Sequence, residues 1–166
     1  MILAATPGTA SRKRLVADWR TNLSTLSNSD TEVLLEIFSK IGVKCFDELN
    51  GIFAFIIYDN FLDKAYCVRD RLGVKPLYYL SKNKLFYFCS EIKGILSIIK
   101  DASINKDIVK DYLSNSFYDF SKETFYQDIC QVKQGSYMVL DIKKNSCEEK
   151  QYWSLKSKKK NMIQNT

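Results

Sequence analysis

Apolar residues recur along the middle of the chain in short runs that polar residues separate. The run at residues 53–58 is almost continuously apolar and rich in Phe and Ile, and it is too short to span a membrane, so it predicts a buried strand. Three more strands are predicted at residues 65–68, 77–80 and 85–89, of which the last two pair as a hairpin. No crossover helix fits between these four strands, which therefore predict an antiparallel sheet.

Apolar residues at helical spacing follow residues 29–32, whose sequence Ser-Asp-Thr-Glu is a capping box. The stripe that predicts the helix consists of Val33, Leu34, Ile37, Phe38 and Ile41. Gly42 is a typical helix end, because glycine tolerates the left-handed conformation found there. Asp30 then occupies the first helical position, where the favourable helix dipole is by itself a sufficient reason for a carboxylate.

Two further helices are predicted downstream. Ser90 is expected to cap a helix with one apolar face, formed by Ile92, Ile95, Leu96 and Ile99. Residues 105–115 predict another helix, with a buried stripe of Ile108, Val109, Tyr112 and Leu113.

The two ends of the chain carry different patterns. Residues 132–142, broken at Gly135, and residues 147–153 predict a final hairpin around a Lys-Lys-Asn turn. At the other end, residues 1–10 are expected to be irregular and residues 11–19 have a helical tendency.

Residues 69–76, with the sequence Arg-Asp-Arg-Leu-Gly-Val-Lys-Pro, connect the second predicted strand to the third. Gly73 permits a sharp backbone bend and Pro76 disfavours helix at Lys75, so the segment predicts a shaped turn. Its charged residues have two interpretations: they line the rim of an active site, or they hold the turn by pairing with each other. The second interpretation is favoured, because charges in tight turns more often have a structural role.

The composition is that of one globular domain, with 166 residues of which 46% are hydrophobic. The net charge of +6 would suit a nucleic-acid partner, but four of the positive charges lie close together near the C-terminal end, at Lys156, Lys158, Lys159 and Lys160. The aromatic residues are not interleaved with Arg and Lys, so no stacking platform for nucleic acid is predicted. Since no apolar run is long enough for a membrane span or a signal peptide, we expect a cytoplasmic protein without membrane contact.

The chain has five cysteines, an odd number without C-x-x-C spacing. They predict neither a disulfide framework nor a zinc site, in keeping with a reducing cytoplasm. Cys67 and Cys89 fall in predicted strands, where we expect them to be small buried thiols.

Several ordered phrases carry a specific resemblance to a known family. They are SDTEVLL from Ser29, LNGIFAFIIYD from Leu49, VRDRLGVKPLYY from Val68, FCSEIKGIL from Phe88, QVKQGSYMVLD from Gln131 and QYW from Gln151. In this order and spacing, about three quarters of the chain resembles the later part of the glutaminase domain of glutamine-hydrolysing asparagine synthetases. Those enzymes are class II glutamine amidotransferases, of the Ntn-hydrolase type.

The resemblance implies a fold and a domain organisation. The expected fold class is α+β, with two stacked antiparallel sheets flanked by helices in an αββα sandwich that is incomplete at its N-terminus. Residues 28–155 correspond to the partial amidotransferase domain, residues 1–27 match poorly, and residues 156–166 form a basic polar tail.

The resemblance also implies a substrate. Family members hydrolyse glutamine with an N-terminal cysteine, and the aspartate that matches Asp30 holds the amino group of the substrate. Asp30 is therefore the expected glutamine-binding residue. The family's ATP and Mg²⁺ belong to a separate synthetase domain, so no cofactor or metal is expected in this chain.

The chemistry of the family is not matched in full. The chain opens with Met-Ile where the family has Met-Cys-Gly-Ile, and the family's NGE phrase and Ser-Gly-Gly-x-Asp-Ser loop have no counterparts. The sequence contains no histidine, so no Cys-His pair can activate a thiol. The cysteines concerned are Cys45, Cys67, Cys89, Cys130 and Cys147. We therefore expect no catalytic residue here and no glutamine hydrolysis by the chain alone.

Three interpretations stay open. The chain is a truncated asparagine synthetase domain that serves asparagine biosynthesis in the family, or an amidotransferase domain for a different acceptor. Alternatively, it is a non-catalytic binding or assembly module that a partner chain completes. A nucleic-acid-binding role has little support in the sequence. Because an incomplete sandwich exposes strand edges and apolar faces, we expect self-association or a partner at these edges.

Overall fold

The computed structural model describes residues 6–7, 30–99, 101–116 and 121–155 of the chain. Its strands are β1 (Thr6–Pro7), β2 (Phe53–Asp59), β3 (Lys64–Arg69), β4 (Tyr78–Lys82), β5 (Leu85–Cys89), β6 (Ile129–Gln131), β7 (Ser136–Asp141) and β8 (Ser146–Gln151). Its helices are α1 (Asp30–Ile41), α2 (Cys45–Glu48), α3 (Ile92–Leu96) and α4 (Lys106–Asn115), with a 3-10 turn at Gly42–Lys44 between α1 and α2.

The strands form two antiparallel sheets. Sheet 1 has the order β1-β2-β3-β7-β8, and sheet 2 has the order β5-β4-β6. The antiparallel pairing predicted from the sequence is confirmed, as is the α+β class with two stacked sheets. The prediction of one sheet for the first four strands is wrong, because the chain crosses between the sheets at residues 69–76.

The inner strands of sheet 1, β2, β3 and β7, are covered on both faces, which explains the unbroken apolar sequence of β2. Successive side chains of a strand point to opposite faces, so Phe55 and Ile57 pack beneath α1 and α2 while Ala54 and Ile56 face sheet 2. Phe46 of α2 is fully buried at the centre of the helix-facing side. Rings around it include Phe38, Phe55, Tyr66, Tyr137 and Tyr152.

Sheet 2 is packed in the same two-sided way. Tyr79, Phe86 and Phe88 face sheet 1, where they contact the core that contains Cys67 and Met138. On the opposite face, a third core places α3 against β4, β5 and β6, and consists chiefly of Leu80, Ile95 and Ile129. The order of layers is therefore helix, sheet, sheet, helix, as the resemblance implied.

The predicted helices are found with corrections at their ends. α1 begins at Asp30 and is followed by Gly42 in the left-handed conformation, with φ +59°. Ser29, the predicted capping partner, lies outside the described residues. The residue that precedes α3 as its N-cap is Glu91 rather than Ser90, and its side chain makes no capping hydrogen bond. In α4, Ile108 is buried as predicted, but Tyr112 and Leu113 of the predicted stripe are 44% and 77% exposed, because only one side of this short helix is covered.

The last predicted hairpin is present as β7 and β8, but the residues before Gly135 depart from the prediction. The chain at Ile129–Gln131, just before the predicted run, forms β6, an unpredicted strand that pairs with β4 in sheet 2. Within the predicted run, the strand β7 begins only at Ser136. Near the start of the chain, Thr6 and Pro7 pair with Ala54 and Phe53 of β2, where irregular structure was expected. The predicted helix at residues 11–19 and the tail at residues 156–166 lie outside the described residues.

Candidate functional site

Asp30, the predicted glutamine-binding residue, is half-buried at the start of α1. Together with Glu32 it makes the first turn acidic, at the helix end where backbone N–H groups lack helical partners. The helix is held against sheet 1 by the buried Ile37 and by Phe38, whose ring contacts that of Tyr66 edge-on at 5.2 Å between centroids. A carboxylate in this position can accept charge-assisted hydrogen bonds from a ligand's ammonium group.

Arg69, at the end of β3, is an almost fully buried cation with backbone and amide partners. Its Nε donates to the carbonyl of Lys75 at 3.0 Å, and its Nη2 donates to that of Gly73 at 2.8 Å. Its Nη1 donates to Gln131 Oε1 at 2.9 Å and to the carbonyl of Val132 at 2.8 Å. These bonds tie the crossover turn and sheet 2 to the end of sheet 1.

Asp70 is buried next to Arg69 and accepts hydrogen bonds from the same turn. Its Oδ1 accepts from the backbone N–H groups of Leu72 and Val74, at 3.1 and 3.0 Å, and its Oδ2 accepts from that of Lys75 at 2.9 Å. A buried carboxylate needs such donors, because burial without them is costly. All three hydrogen bonds come from the backbone of the turn, so this side chain holds the turn from within.

The contacts of Arg69 and Asp70 support the second interpretation of this turn, in which its charges have a structural role. Arg69 and Asp70 have a structural role, as favoured, but they bind backbone groups where pairing with each other was expected. Gly73 fits the bend with φ +68°, and a side chain there would meet Gln134 Cβ at 2.9 Å and the Arg69 guanidinium at 3.1 Å. The buried charges therefore hold the end of the sandwich in position.

Arg71, in the same turn, lines an open groove. Its Nη2 donates to the carbonyl of Asp47 at 2.7 Å, and its Cζ lies 5.9 Å from the centroid of the Trp153 ring. The groove has a volume of about 380 Å³ and is also lined by Lys133 and Gln151. Because the guanidinium already holds α2 and Trp153, Arg71 joins the helix layer to the last residues after β8.

Nucleophilic attack by a cysteine requires a thiolate, and burial opposes its formation at several of the described cysteines. Burial raises the pKa of the Cys45 thiol to about 12, and it also raises the pKa values of Cys67 and Cys130. Cys67 is fully buried as predicted, whereas Cys89 is only half-buried, and Cys147 is exposed on β8. No described sulfur pairs in a disulfide.

Two residues that hold the crossover turn in place, Gln131 and Tyr152, were not predicted from the sequence. Gln131 accepts from Arg69 and donates through Nε2 to the carbonyl of Ser121, and Tyr152 donates its hydroxyl to the carbonyl of Arg69 at 2.7 Å. Each is far from Arg69 in sequence, so no local spacing indicates the contact. The phrases QVKQGSYMVLD and QYW, which contain them, were the available signal.

The described part of the chain offers neither a metal site nor a membrane-spanning helix. Within it, no three His, Cys, Asp or Glu side chains are arranged to hold a metal ion. No helix of residues 30–99, 101–116 or 121–155 has the length and apolarity required to cross a membrane.

Comparison with known proteins gives a family match for most of the sequence. Residues 12–153 match the model of the glutamine amidotransferase domain. Similar curated proteins include the putative asparagine synthetase [glutamine-hydrolyzing] 2 of Methanocaldococcus jannaschii, 39% identical over 137 residues, which are 81% of this chain and 26% of that protein. Another is asparagine synthetase [glutamine-hydrolyzing] 2 of Bacillus subtilis, 30% identical over 134 residues, which are 78% of this chain and 18% of that protein. The chain thus spans about a quarter or less of these two relatives' length.

Proposed function

The chain belongs to the glutamine amidotransferase domain family, and from that membership we propose that it binds L-glutamine at the start of α1. In this proposal the carboxylate of Asp30 accepts hydrogen bonds from the α-ammonium group of the amino acid. The position of Asp30 carries the proposal: it is a half-buried acid at the first residue of a helix that is packed firmly on sheet 1. Charge-assisted hydrogen bonds of this kind are the strong polar contacts of a binding site.

The proposed activity of this chain alone is binding without hydrolysis. Attack on the glutamine amide needs a thiolate and a base to activate it. The burial that raises the pKa values of Cys45, Cys67 and Cys130 keeps these thiols protonated near neutrality. The sequence also offers no histidine as a base.

The process served by the domain is proposed from its relatives. Proteins named asparagine synthetase [glutamine-hydrolyzing] align with most of this chain, which supports ammonia supply for asparagine synthesis as the context of the glutamine site. ATP-dependent steps would belong to a region outside the aligned domain, so the proposal assigns no cofactor to this chain.

A second candidate function is that of an assembly module. Within the described residues, β5 pairs only with β4, and its sequence Leu-Phe-Tyr-Phe-Cys makes an apolar edge for sheet 2. An apolar strand edge is a template for pairing with another chain. This function does not require glutamine, so a glutamine-binding measurement distinguishes it from the first proposed function.

The test is calorimetric titration of the purified 166-residue chain with L-glutamine. We expect D30N to weaken binding roughly tenfold or more, because a charge-assisted hydrogen bond is replaced by a neutral one. The matched control is D107N, which removes an acid from the first turn of α4 and should leave the affinity unchanged. Equal affinity of D30N and the unmodified chain would contradict the role of Asp30, and no binding by either would favour the assembly module.

A further inference from the structure

Three hairpin turns lie together at one end of the sandwich. Lys64 opposes Asp141 in the β3–β7 register, and the N–H of Ile142 donates to the carbonyl of Asp63 at 3.0 Å, so the β2–β3 and β7–β8 turns are neighbours. The β4–β5 turn of sheet 2 joins them, because its Lys84 lines the same cavity as Ile142. This group of three turns is here called the turn end.

The turn end exposes large apolar side chains. Phe61 is 91% exposed, Leu62 55%, Leu85 56% and Ile142 48%. Exposed apolar residues are ordinary when scattered, but a contiguous group of them marks a binding surface. The turn end therefore presents an apolar surface that the sheets and helices of the chain do not cover.

An apolar cavity opens at this end between the two sheets. It has a volume of about 580 Å³, and its walls include Ile56, Phe86, Phe88 and Leu140. The polar residues that line it are Tyr58, Lys84, Asp141 and Asn145. Mostly apolar pockets with a few polar groups, of about 300 to 1,000 Å³, are typical of small-molecule sites.

The charge at the turn end is positive and largely unpaired. Within the described residues, no ion pair is formed by the exposed lysines of these turns, Lys82, Lys84, Lys143 and Lys144. The nearby carboxylates already have partners in the turns. Asp59 accepts hydrogen bonds from the N–H groups of Phe61 and Leu62. Asp63 accepts a hydrogen bond from the Tyr58 hydroxyl. Asp141 accepts a hydrogen bond from the N–H of Lys144, and its carboxylate lies 4.0 Å from Lys64 Nζ.

We propose that the turn end binds an amphipathic carboxylate, an anion with an unbranched hydrocarbon chain. The hydrocarbon chain occupies the cavity between the sheets, in contact with Phe86 and Leu140. The carboxylate stays at the mouth, next to Lys84. Such a ligand matches both the apolar cavity and the positive charge of the turn end. Burial of its hydrocarbon chain in the cavity is favourable, and the lysines without ion pairs attract its carboxylate. This site is separate in chemistry from the glutamine site proposed at Asp30.

The probe is dodecanoate, titrated calorimetrically into the full chain below its micelle concentration. We expect binding with one ligand per chain, and binding roughly tenfold weaker for dodecyltrimethylammonium, which has the same tail and the opposite charge. K84E should weaken dodecanoate binding roughly fivefold to tenfold by replacing attraction with repulsion. The matched control is K106E, which reverses an exposed charge on α4 and should have no effect.

A second pair of variants tests the apolar contact without disturbing the core. L85S removes an exposed side chain that lines the cavity and should weaken dodecanoate binding several-fold, while L113S removes an exposed leucine of α4 and should not. Equal binding of both charge types, or affinities unchanged by K84E and L85S, would overturn the proposal. Binding to phosphatidylserine vesicles without binding to monomeric dodecanoate would also overturn it, because the site would then be a membrane surface.

Discussion

The side chains of Arg69 and Gln131 meet where the two sheets join, with Nη1 donating to Oε1 over 2.9 Å although 62 positions separate the residues. Arg69 ends a strand of sheet 1, and Gln131 ends a strand of sheet 2. The contact therefore fixes one sheet relative to the other. A buried guanidinium suits this task, because its planar donors reach several acceptors at once.

Replacing Arg69 by lysine should destabilise the fold by about 2 to 4 kcal/mol, because one ammonium cannot replace the forked donors and leaves buried carbonyls unpaired. The measurement is urea unfolding followed by circular dichroism. R71K is the comparison, since Arg71 is only half-buried, and should cost about 1 kcal/mol or less. Similar losses for the two variants would contradict the linking role of Arg69.

The crossover turn should be intolerant of a side chain at Gly73. G73A and G42A both place alanine in the left-handed conformation, at φ +68° and +59°, which costs about 1 kcal/mol. At Gly42 nothing lies within 4 Å of the added carbon, whereas at Gly73 it meets Gln134 Cβ at 2.9 Å. Thermal unfolding should therefore show a larger loss of stability for G73A than for G42A. Equal losses of stability would contradict this prediction, because the crossover turn would then accommodate the added carbon.

Stability should fall at alkaline pH through Cys45. Its pKa is raised from 9.0 in the reference state to about 12 by burial, so between these values the unfolded chain loses a proton that the folded chain keeps. The free energy of unfolding then decreases with rising pH, by up to about 1.4 kcal/mol per pH unit for one group. Below pH 9 this group contributes no slope.

The measurement is the urea midpoint between pH 8 and pH 11. C45A removes the titrating thiol and should reduce the slope above pH 9, while C89A, which removes a half-buried cysteine at the end of β5, is the control for loss of a cysteine. A slope unchanged in C45A would contradict the burial of this thiol.

The apolar edge of sheet 2 should cause association. β5 offers an apolar edge, whereas the described residues of β8, at the edge of sheet 1, are exposed and include Glu148, Glu149 and Lys150, which discourage pairing. Sedimentation velocity should show species larger than the monomer that grow with concentration. L85K at the β5 edge should reduce them and L113K on α4 should not; a monodisperse monomer at all concentrations would contradict this prediction.

Much of the fold follows from local pattern. The run at residues 53–58 becomes β2, the helical stripe after Asp30 becomes α1, and the positions of the hairpin turns are found as predicted. These elements depend on the spacing of apolar residues, which a sequence displays directly. The two-sheet arrangement was indicated by the family resemblance and not by the spacing.

The errors arise where distant residues decide the structure. Nothing near Arg69 shows that its partners are carbonyls of its own turn and Gln131 of another sheet. Residues 129–131 join sheet 2 because β4 has a free edge there, which the local sequence does not reveal. Leu113 fits a helical stripe but is exposed, because burial depends on what covers the helix.

The most direct test of the central claim is to incubate the 166-residue chain at neutral pH with glutamine labelled with ¹⁵N in its side-chain amide, and to follow the amide and ammonium signals by NMR. We predict that the glutamine signals shift on binding, less so in D30N, and that no labelled ammonium accumulates. The account would be contradicted if labelled ammonium accumulated and if changing one particular cysteine of the chain to serine abolished that accumulation.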